Sequence, residues 1–306
     1  MLGDVRASWP GSMQSALAAT LTTPEWWAMA LAAFLIRGGI IVLLLPIIAL
    51  PSVAGLITTL SPGFEALVLG TPTLGGAIAG AAVLTLLFLL LAWAGLAGSW
   101  IDLALVRDAV SSDELDLPWR PVAISSWHGF ALRLTAHIPT LLALGYATVR
   151  VVVVSYAQLT SPSEAGIPVA DRVIARVPDA VLVVLAAWLV GEAVGGLAVR
   201  RASAGLGTRA ALLGALRHLL SPRGLATFAV TSVALLAVGI PFALAAQRAW
   251  EHVRSYLLSG VDAVPLGAAI VVLVATWVLG LSIIGAALAW RATAWTAEVA
   301  AEQPSS

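Results

Sequence analysis

Six long runs of apolar residues, separated by shorter polar segments, dominate the chain. Each run has about the 20 residues that a helix needs to cross a hydrocarbon layer ~30 Å thick. None carries the polar stripe that is typical of a helix on the surface of a soluble protein. The pattern predicts an all-α, polytopic membrane helical bundle, one integral membrane domain of residues 1–306, with six transmembrane helices at about residues 26–50, 77–101, 134–157, 180–199, 225–246 and 266–290.

The composition agrees with a membrane protein and excludes several other classes of protein. Hydrophobic residues make up 60% of the chain and charged residues only 10%, which excludes an ordinary soluble globular domain. The formal net charge is zero, so nothing indicates a nucleic-acid partner. The chain has no Cys, which excludes disulfides and thiolate metal sites, and all sixteen basic residues are Arg. We expect no cofactor and no metal.

The second, fourth and sixth runs end in a similar way. Each contains a Trp, then a Gly, and then an Arg at which the apolar run ends. The number of residues from the Trp to the Arg is similar but not equal in the three runs: Trp93 to Arg107, Trp188 to Arg200 and Trp277 to Arg291. One interpretation is a repeat of three helical hairpins. The other is chance similarity between helices that are all rich in Ala, Leu, Val and Gly.

The distribution of Arg predicts which side of the membrane each loop faces. Arg residues are concentrated between runs two and three and between runs four and five, whereas residues 51–76 contain none. The positive-inside rule then places both termini in the cytoplasm, in a multi-pass protein of the cell inner (plasma) membrane. Residues 1–22 form a short polar lead, and Thr23, Pro24 and Glu25 resemble a helix start. We favour an uncleaved first span over a signal peptide because the run is long and contains Arg37.

Residues 206–220 have the pattern of an amphipathic helix that lies in the inner interface. One helical face carries Leu206, Ala210, Leu213, Leu216 and Leu220. We expect that face to contact lipid or the bundle and nearby Arg side chains to meet anionic head groups. The inner-interface basic residues are Arg200, Arg201, Arg209 and Arg217. Residues 121–133 are the candidate for a second such segment.

This layout resembles a known family. Six spans with both termini inside, an amphipathic cytoplasmic helix before span five, and an even span ending in Gly-Leu-Ala-Val-Arg-Arg (residues 196–201) are similar to the membrane domain of some bacterial glycerophosphoryl diester phosphodiesterases. The chain is also similar to other six-span bacterial membrane proteins of unassigned function. In the phosphodiesterases the chemistry belongs to a separate soluble domain with an acidic and His metal site. Nothing in this chain matches that domain, so the resemblance implies no catalytic activity.

Two ionisable residues at membrane depth are the main candidates for a site. Arg37 and Glu192 lie about 16 Å and about 12 Å from the inner ends of spans one and four, taking 1.5 Å per helical residue. Because charges at this depth usually have partners, we hypothesise an interhelical Arg37–Glu192 pair. The pair would either fix the bundle or form the polar floor of a cavity for a head group, an anion or a proton. A third possibility is that the two side chains do not meet.

Three further residues are secondary polar candidates. Arg150 lies near the outer interface, where it either snorkels or meets Asp179 at the start of span four. His137 follows Arg133 by one turn and is either a titratable ligand residue or a hydrogen-bonded interface residue. The remaining histidines, His128, His218 and His252, are scattered and show no ligand spacing.

Catalytic motifs are missing from the sequence. There is no His-Glu-x-x-His, no Gly-x-Ser-x-Gly, no phosphate loop and no pair of carboxylates on one predicted span. An enzyme is therefore the least favoured class. The preferred hypothesis is a non-catalytic scaffold or subunit of a membrane complex, with membrane lipids and another membrane or cytoplasmic protein as partners. The alternative is a transporter or lipid-handling protein with a polar inner cavity near Arg37 and Glu192. Many transporters have broken helices, and in this sequence only Pro46 and Pro139 predict such breaks, which counts against the alternative.

Overall fold

A computed structural model describes residues 8–44, 74–113, 115, 117, 120–159, 169–260 and 263–302. All the regular elements in these ranges are helical. A five-residue π-helical turn, Leu35–Gly39, lies between the second and third α-helices. The α-helices are α1 (Trp9–Thr22), α2 (Pro24–Phe34), α3 (Ile40–Leu44), α4 (Leu74–Ser111), α5 (Ser126–Ala136), α6 (Ile138–Leu159), α7 (Val169–Arg176), α8 (Pro178–Ser203), α9 (Thr208–Leu219), α10 (Pro222–Ser259) and α11 (Ala263–Ala301).

Five of these helices are long and apolar enough to cross a membrane. Their candidate spans are Ile78–Ser111, Ile138–Gln158, Pro178–Ser203, Pro222–Ser259 and Ala263–Ala301. They overlap the predicted runs two to six, although the helices of runs two, five and six continue about 10 residues or more past the predicted ends. Large apolar side chains on them, such as Phe88 and Leu142, are about 70% exposed in the isolated chain. An apolar surface of this extent suits a helical protein embedded in lipid.

The structure corrects the prediction of a polar lead at residues 1–22, because residues 9–22 form α1. Ser8 is its N-cap and accepts a hydrogen bond from the backbone N–H of Gly11. Its buried face consists of small or flexible residues, including Met13, Ala16 and Ala19, which pack in one cluster with Trp26 of α2. Hydropathy gives a weak signal for such a face, which explains the error.

The structure also corrects the prediction that only prolines mark broken helices. The first predicted run is interrupted at Arg37 (φ −80°, ψ 16°) and Gly38 (φ 99°). A positive φ favours Gly, because other residues would place Cβ too close to the backbone. Pro139 does lie at a helix boundary, in the first turn of α6. Pro46, and the end of the first run at residues 45–50, lie outside the described residues.

The chain forms two compact units. Unit A comprises Met1–Ile48, Ala94–Leu134 and Ala193–Ser306, and unit B comprises Ala49–Trp93 and Thr135–Glu192. In unit A, α11 packs against α1, α2 and α10. In unit B, the core includes Val154 of α6, Val173 of α7, Val177 between α7 and α8, and Ala180 in the first turn of α8.

Gly285 allows α11 to approach α2 closely, so we predict that Gly285→Ala destabilises unit A. A Cβ at this position would lie 2.9 Å from the carbonyl oxygen of Trp27. Relieving that clash requires a backbone shift, which typically costs ~1–3 kcal/mol. The measurement is thermal unfolding of the purified protein in detergent.

Gly267→Ala is the matched control, because it makes the same change in the same helix and its Cβ would have no neighbour within 4 Å. We expect the control to unfold at or above the wild-type temperature. Equal unfolding temperatures for the two variants would contradict this account of the packing.

Candidate functional site

The C-terminal end of α11 is buried on every side. Each residue from 293 to 300 is buried, although the hydropathic run ends near Trp290. The Thr293 hydroxyl is 2.9 Å from that of Thr20 in α1, and the Trp9 indole N–H donates to Thr227 Oγ1 over 2.8 Å. Polar side chains of this helix end thus find partners on neighbouring helices, and two clusters supply those of Thr296 and Glu298.

The first cluster surrounds His218, in the last turn of α9. Its Nε2 is 2.7 Å from Glu298 Oε2, and its Nδ1 is 2.5 Å from Glu302 Oε1. The side chains of His218 and Glu298 are only 4% and 1% exposed, whereas that of Glu302 is 40% exposed. Both ring nitrogens thus face carboxylate oxygens.

The local chain between α9 and α10 holds His218 in place. Ser221, the N-cap of α10, donates from its hydroxyl to the His218 carbonyl oxygen over 2.7 Å and accepts from the Gly224 N–H. A Cβ at Gly224 would clash with the same carbonyl oxygen. The turn is therefore tight, and it fixes the last turn of α9 against the first turn of α10.

Neighbouring helices contribute further partners to the two carboxylates. The Thr227 hydroxyl of α10 donates to Glu298, and Arg223 Nε lies 3.7 Å from Glu298 Oε1. Arg201 of α8 bonds to Glu302. The cluster consequently ties α8, α9 and α10 to the end of α11.

The carboxylates also control the protonation of His218. Burial of the ring is the largest single influence and lowers its pKa, but hydrogen bonds and charges from Glu298 and Glu302 together outweigh it. The net effect is a pKa raised above the ordinary value of 6.5. The geometry and the pKa both favour the imidazolium form.

The second cluster surrounds Asp102 of α4. Arg133 Nη2 donates to Asp102 Oδ2 over 2.5 Å, and Arg200 Nη2 lies 3.8 Å from Oδ1. Arg200 also donates to the Ala292 carbonyl oxygen and to Thr296 Oγ1 of α11, over 3.1 and 3.0 Å. This cluster joins α4, α5 and α8 to the same end of α11.

Arg200 is only 2% exposed, so its guanidinium contacts protein groups and not lipid head groups, and its position at the inner interface stays a prediction. Its charge is compensated inside the protein by Asp102, so it does not need lipid head groups. Arg201 bonds to Glu302 and is mostly buried. Arg209 and Arg217, on α9, are exposed, as an interfacial role requires.

Arg37 and Glu192 belong to different units, and their pairing stays a prediction. Arg37 lies at the break in the first run, where its Cγ would be 2.7 Å from a Cβ at Gly98. In unit B, Glu192 Oε1 is 3.4 Å from His137 Nε2. The structure therefore joins two of the predicted polar candidates, Glu192 and His137, that the sequence did not connect.

The proximity of Arg150 and Asp179 is confirmed. Arg150 Nε donates to Asp179 Oδ2 over 3.2 Å, and the Tyr146 hydroxyl donates to the same oxygen over 2.8 Å. Both side chains of the ion pair are 42% exposed. The pair links the first turn of α8 to the middle of α6 at the surface of unit B.

Sequence reasoning missed the groups at the centre of both clusters. Asp102 follows an apolar run without a break in the helix, and Glu298 lies beyond the last predicted span. The one available signal was the spacing of Glu298 and Glu302, four residues apart and therefore on one helical face. His218 could not be linked to them because the contact spans about 80 residues of sequence.

No protein-family model, curated protein or solved structure matches the chain. Within the described ranges, no group of three or more His, Cys, Asp or Glu residues is arranged to hold a metal ion. In the His218 cluster both ring nitrogens already face carboxylates. That arrangement leaves the imidazole no lone pair directed at a metal.

We predict that Asp102→Asn strongly destabilises unit A. The substitution leaves the buried guanidinium groups of Arg133 and Arg200 without this carboxylate, and breaking one partner of a buried ion pair costs about 3–5 kcal/mol. Asp179→Asn is the control, because it removes a carboxylate from an exposed pair, where the effect is small. Thermal unfolding and monodispersity in detergent measure both variants. An Asp102→Asn protein as stable as the control would disprove the structural role of the cluster.

Proposed function

We propose that the protein is a non-catalytic integral membrane scaffold, or a subunit of a membrane complex. The observation that supports this is how the buried carboxylates are used. Asp102 and Glu298 are bonded to Arg, His and Thr side chains that hold helices of unit A together. A catalytic or transport site instead needs polar groups that converge on space for a substrate.

The proposed architecture has six spans, arranged as three repeated hairpins. Short helices precede the three proposed hairpins, namely α1, α5 and α9. In each case a Pro lies in the first turn of the next helix, at Pro24, Pro139 and Pro222. Shared element order and shared Pro positions are stronger support for a repeat than the Trp and Gly spacing alone.

The proposed location is the inner (plasma) membrane, with both termini in the cytoplasm and α5 and α9 in the inner interface. On α9, Ala211 and Ala215 are buried while Leu213 and Leu216 are 45% and 42% exposed. Together with the exposed Arg209 and Arg217, this arrangement suits a helix among lipid head groups. Membrane lipids are therefore proposed partners.

The resemblance to the membrane domain of glycerophosphoryl diester phosphodiesterases points in the same direction. In that family the catalytic work belongs to a separate soluble domain. A membrane bundle similar to that one fits a role as an anchor or scaffold for another protein.

A transporter or lipid-handling protein is the second candidate, and the break at Arg37 and Gly38 favours it. Non-helical backbone at membrane depth is tolerated where it is buried in protein or lines a cavity. Transporters often bind their substrates at such breaks. An intramembrane Arg at the break would suit an anionic group.

The topology can be tested with single-cysteine variants, because the chain has no Cys of its own. We predict that Ser111→Cys and Leu206→Cys react with a membrane-impermeant maleimide only in inverted vesicles. Ser259→Cys, at the end of α10, should react only in intact spheroplasts. Labelling of Ser259→Cys from the same side as the other two would contradict the proposed topology.

The function can be tested by native mass spectrometry of the protein in nanodiscs prepared from its own membrane. We predict a stoichiometric protein subunit and no stoichiometric small molecule. Arg37→Gln tests the alternative, and Arg248→Gln, an exposed Arg on α10, is the control of equal charge change. A small molecule that Arg37→Gln removes and Arg248→Gln retains would contradict the scaffold and support the transporter.

A further inference from the structure

Both ring nitrogens of His218 can donate a hydrogen bond only when the imidazole carries a second N–H proton. A neutral imidazole has one N–H donor and one acceptor nitrogen, and an ionised carboxylate can only accept. Both nitrogens of His218 lie within 2.7 Å of carboxylate oxygens. With a neutral ring and two ionised carboxylates, one nitrogen would face an oxygen with no hydrogen between them.

We propose that His218, Glu298 and Glu302 form a proton-binding site whose occupancy holds α9 against the end of α11. The bound proton supplies the second N–H of His218, so that the ring donates to both carboxylates. Loss of that proton breaks one of the two bonds and leaves the buried Glu298 without the imidazolium charge.

The surrounding groups place the proton on the imidazole. Arg223 of α10 lies beside Glu298, and Arg201 of α8 bonds to Glu302. These two guanidinium groups place positive charge beside both carboxylates, whereas Arg217 of α9 itself is exposed. The other close neighbours, Thr227 and the edge of Trp295, are uncharged.

Apart from the turn at Ser221 and a hydrogen bond between Thr208 and His128 of α5, α9 attaches to unit A through a small inner face. The residues that its inner face buries next to His218 are Ala211, Ala215 and Leu219, of which the two Ala residues contribute one methyl group each. Apolar burial grows with area, so this face adds little. The contact of His218 is therefore the charged contact of this inner face, and the one that loss of the proton weakens.

The direction of the pH dependence follows from the raised pKa of His218. The imidazolium contact is fully present below the ordinary value of 6.5 and is lost as the pH rises through the higher pKa of the docked state. Alkaline pH should thus release α9.

The protonation state can be measured by ¹⁵N NMR of the full chain, labelled at its four histidines, in nanodiscs of phosphatidylglycerol and phosphatidylcholine. His218 is assigned as the signal that His218→Gln removes or, if that variant does not fold, as the signal shifted by Glu302→Gln. We expect both of its nitrogens to be protonated at pH 7. A neutral His218 at pH 7 would overturn the proposal.

Docking can be measured with two single-cysteine variants of α9. Ala215→Cys places a thiol on the buried face, and Leu213→Cys places one on the exposed face. Dividing the maleimide labelling rate of Ala215→Cys by that of Leu213→Cys cancels the effect of pH on thiol reactivity. We expect this ratio to rise between pH 6 and pH 9, and to be constant in a His218→Gln background.

A ratio that stays constant in the protein with His218 would overturn the proposal. Hydrogen exchange of α9 in the unmodified protein, corrected for the intrinsic pH dependence, provides the same comparison if Ala215→Cys does not fold. Protection of α9 that is equal at both pH values would overturn it as well.

Discussion

Unit A depends on the burial of the C-terminal end of α11. Ordinary helix ends lie at the surface, where water satisfies their polar groups. Here residues 293–300 are all buried, and they include Thr293, Thr296 and Glu298. Burying these groups is possible because other helices provide bonding partners, among them Thr20 of α1, Arg200 of α8 and His218 of α9. The buried charges around this helix end therefore join helices.

The buried ion pairs that join the helices restrict how far those helices can move relative to one another. A buried pair contributes less to stability than its geometry suggests, but removing one partner is costly. The Asp102 and His218 clusters thus specify one arrangement of α8, α9, α10 and α11, which is what a scaffold requires. The break at Arg37 and Gly38 is the feature that this interpretation does not use, and it keeps the transport hypothesis testable.

The long apolar helices could be predicted from the sequence because transfer into lipid depends on local composition. The start of α2 at Pro24 and the Arg150–Asp179 contact were also accessible, since both rest on short-range or depth arguments. Contacts between helix ends were not. Hydropathy cannot show that α11 continues as a buried helix beyond Trp290, nor that Arg200 meets Asp102 instead of lipid. Helix α1 was also missed, because its buried face consists of small residues with a weak hydropathy signal. Its position in unit A depends on packing and not on hydrophobicity.

Hydrogen exchange of residues 292–301, measured by mass spectrometry in nanodiscs, tests the central role of this helix end most directly. Helix ends that lie at a surface fray and exchange quickly. Because the end of α11 is enclosed and bonded to its neighbours, we expect its amides to exchange as slowly as those of residues 270–290 in the same helix. Rapid exchange at residues 292–301, with protection retained at residues 270–290, would show that the clusters do not hold unit A together.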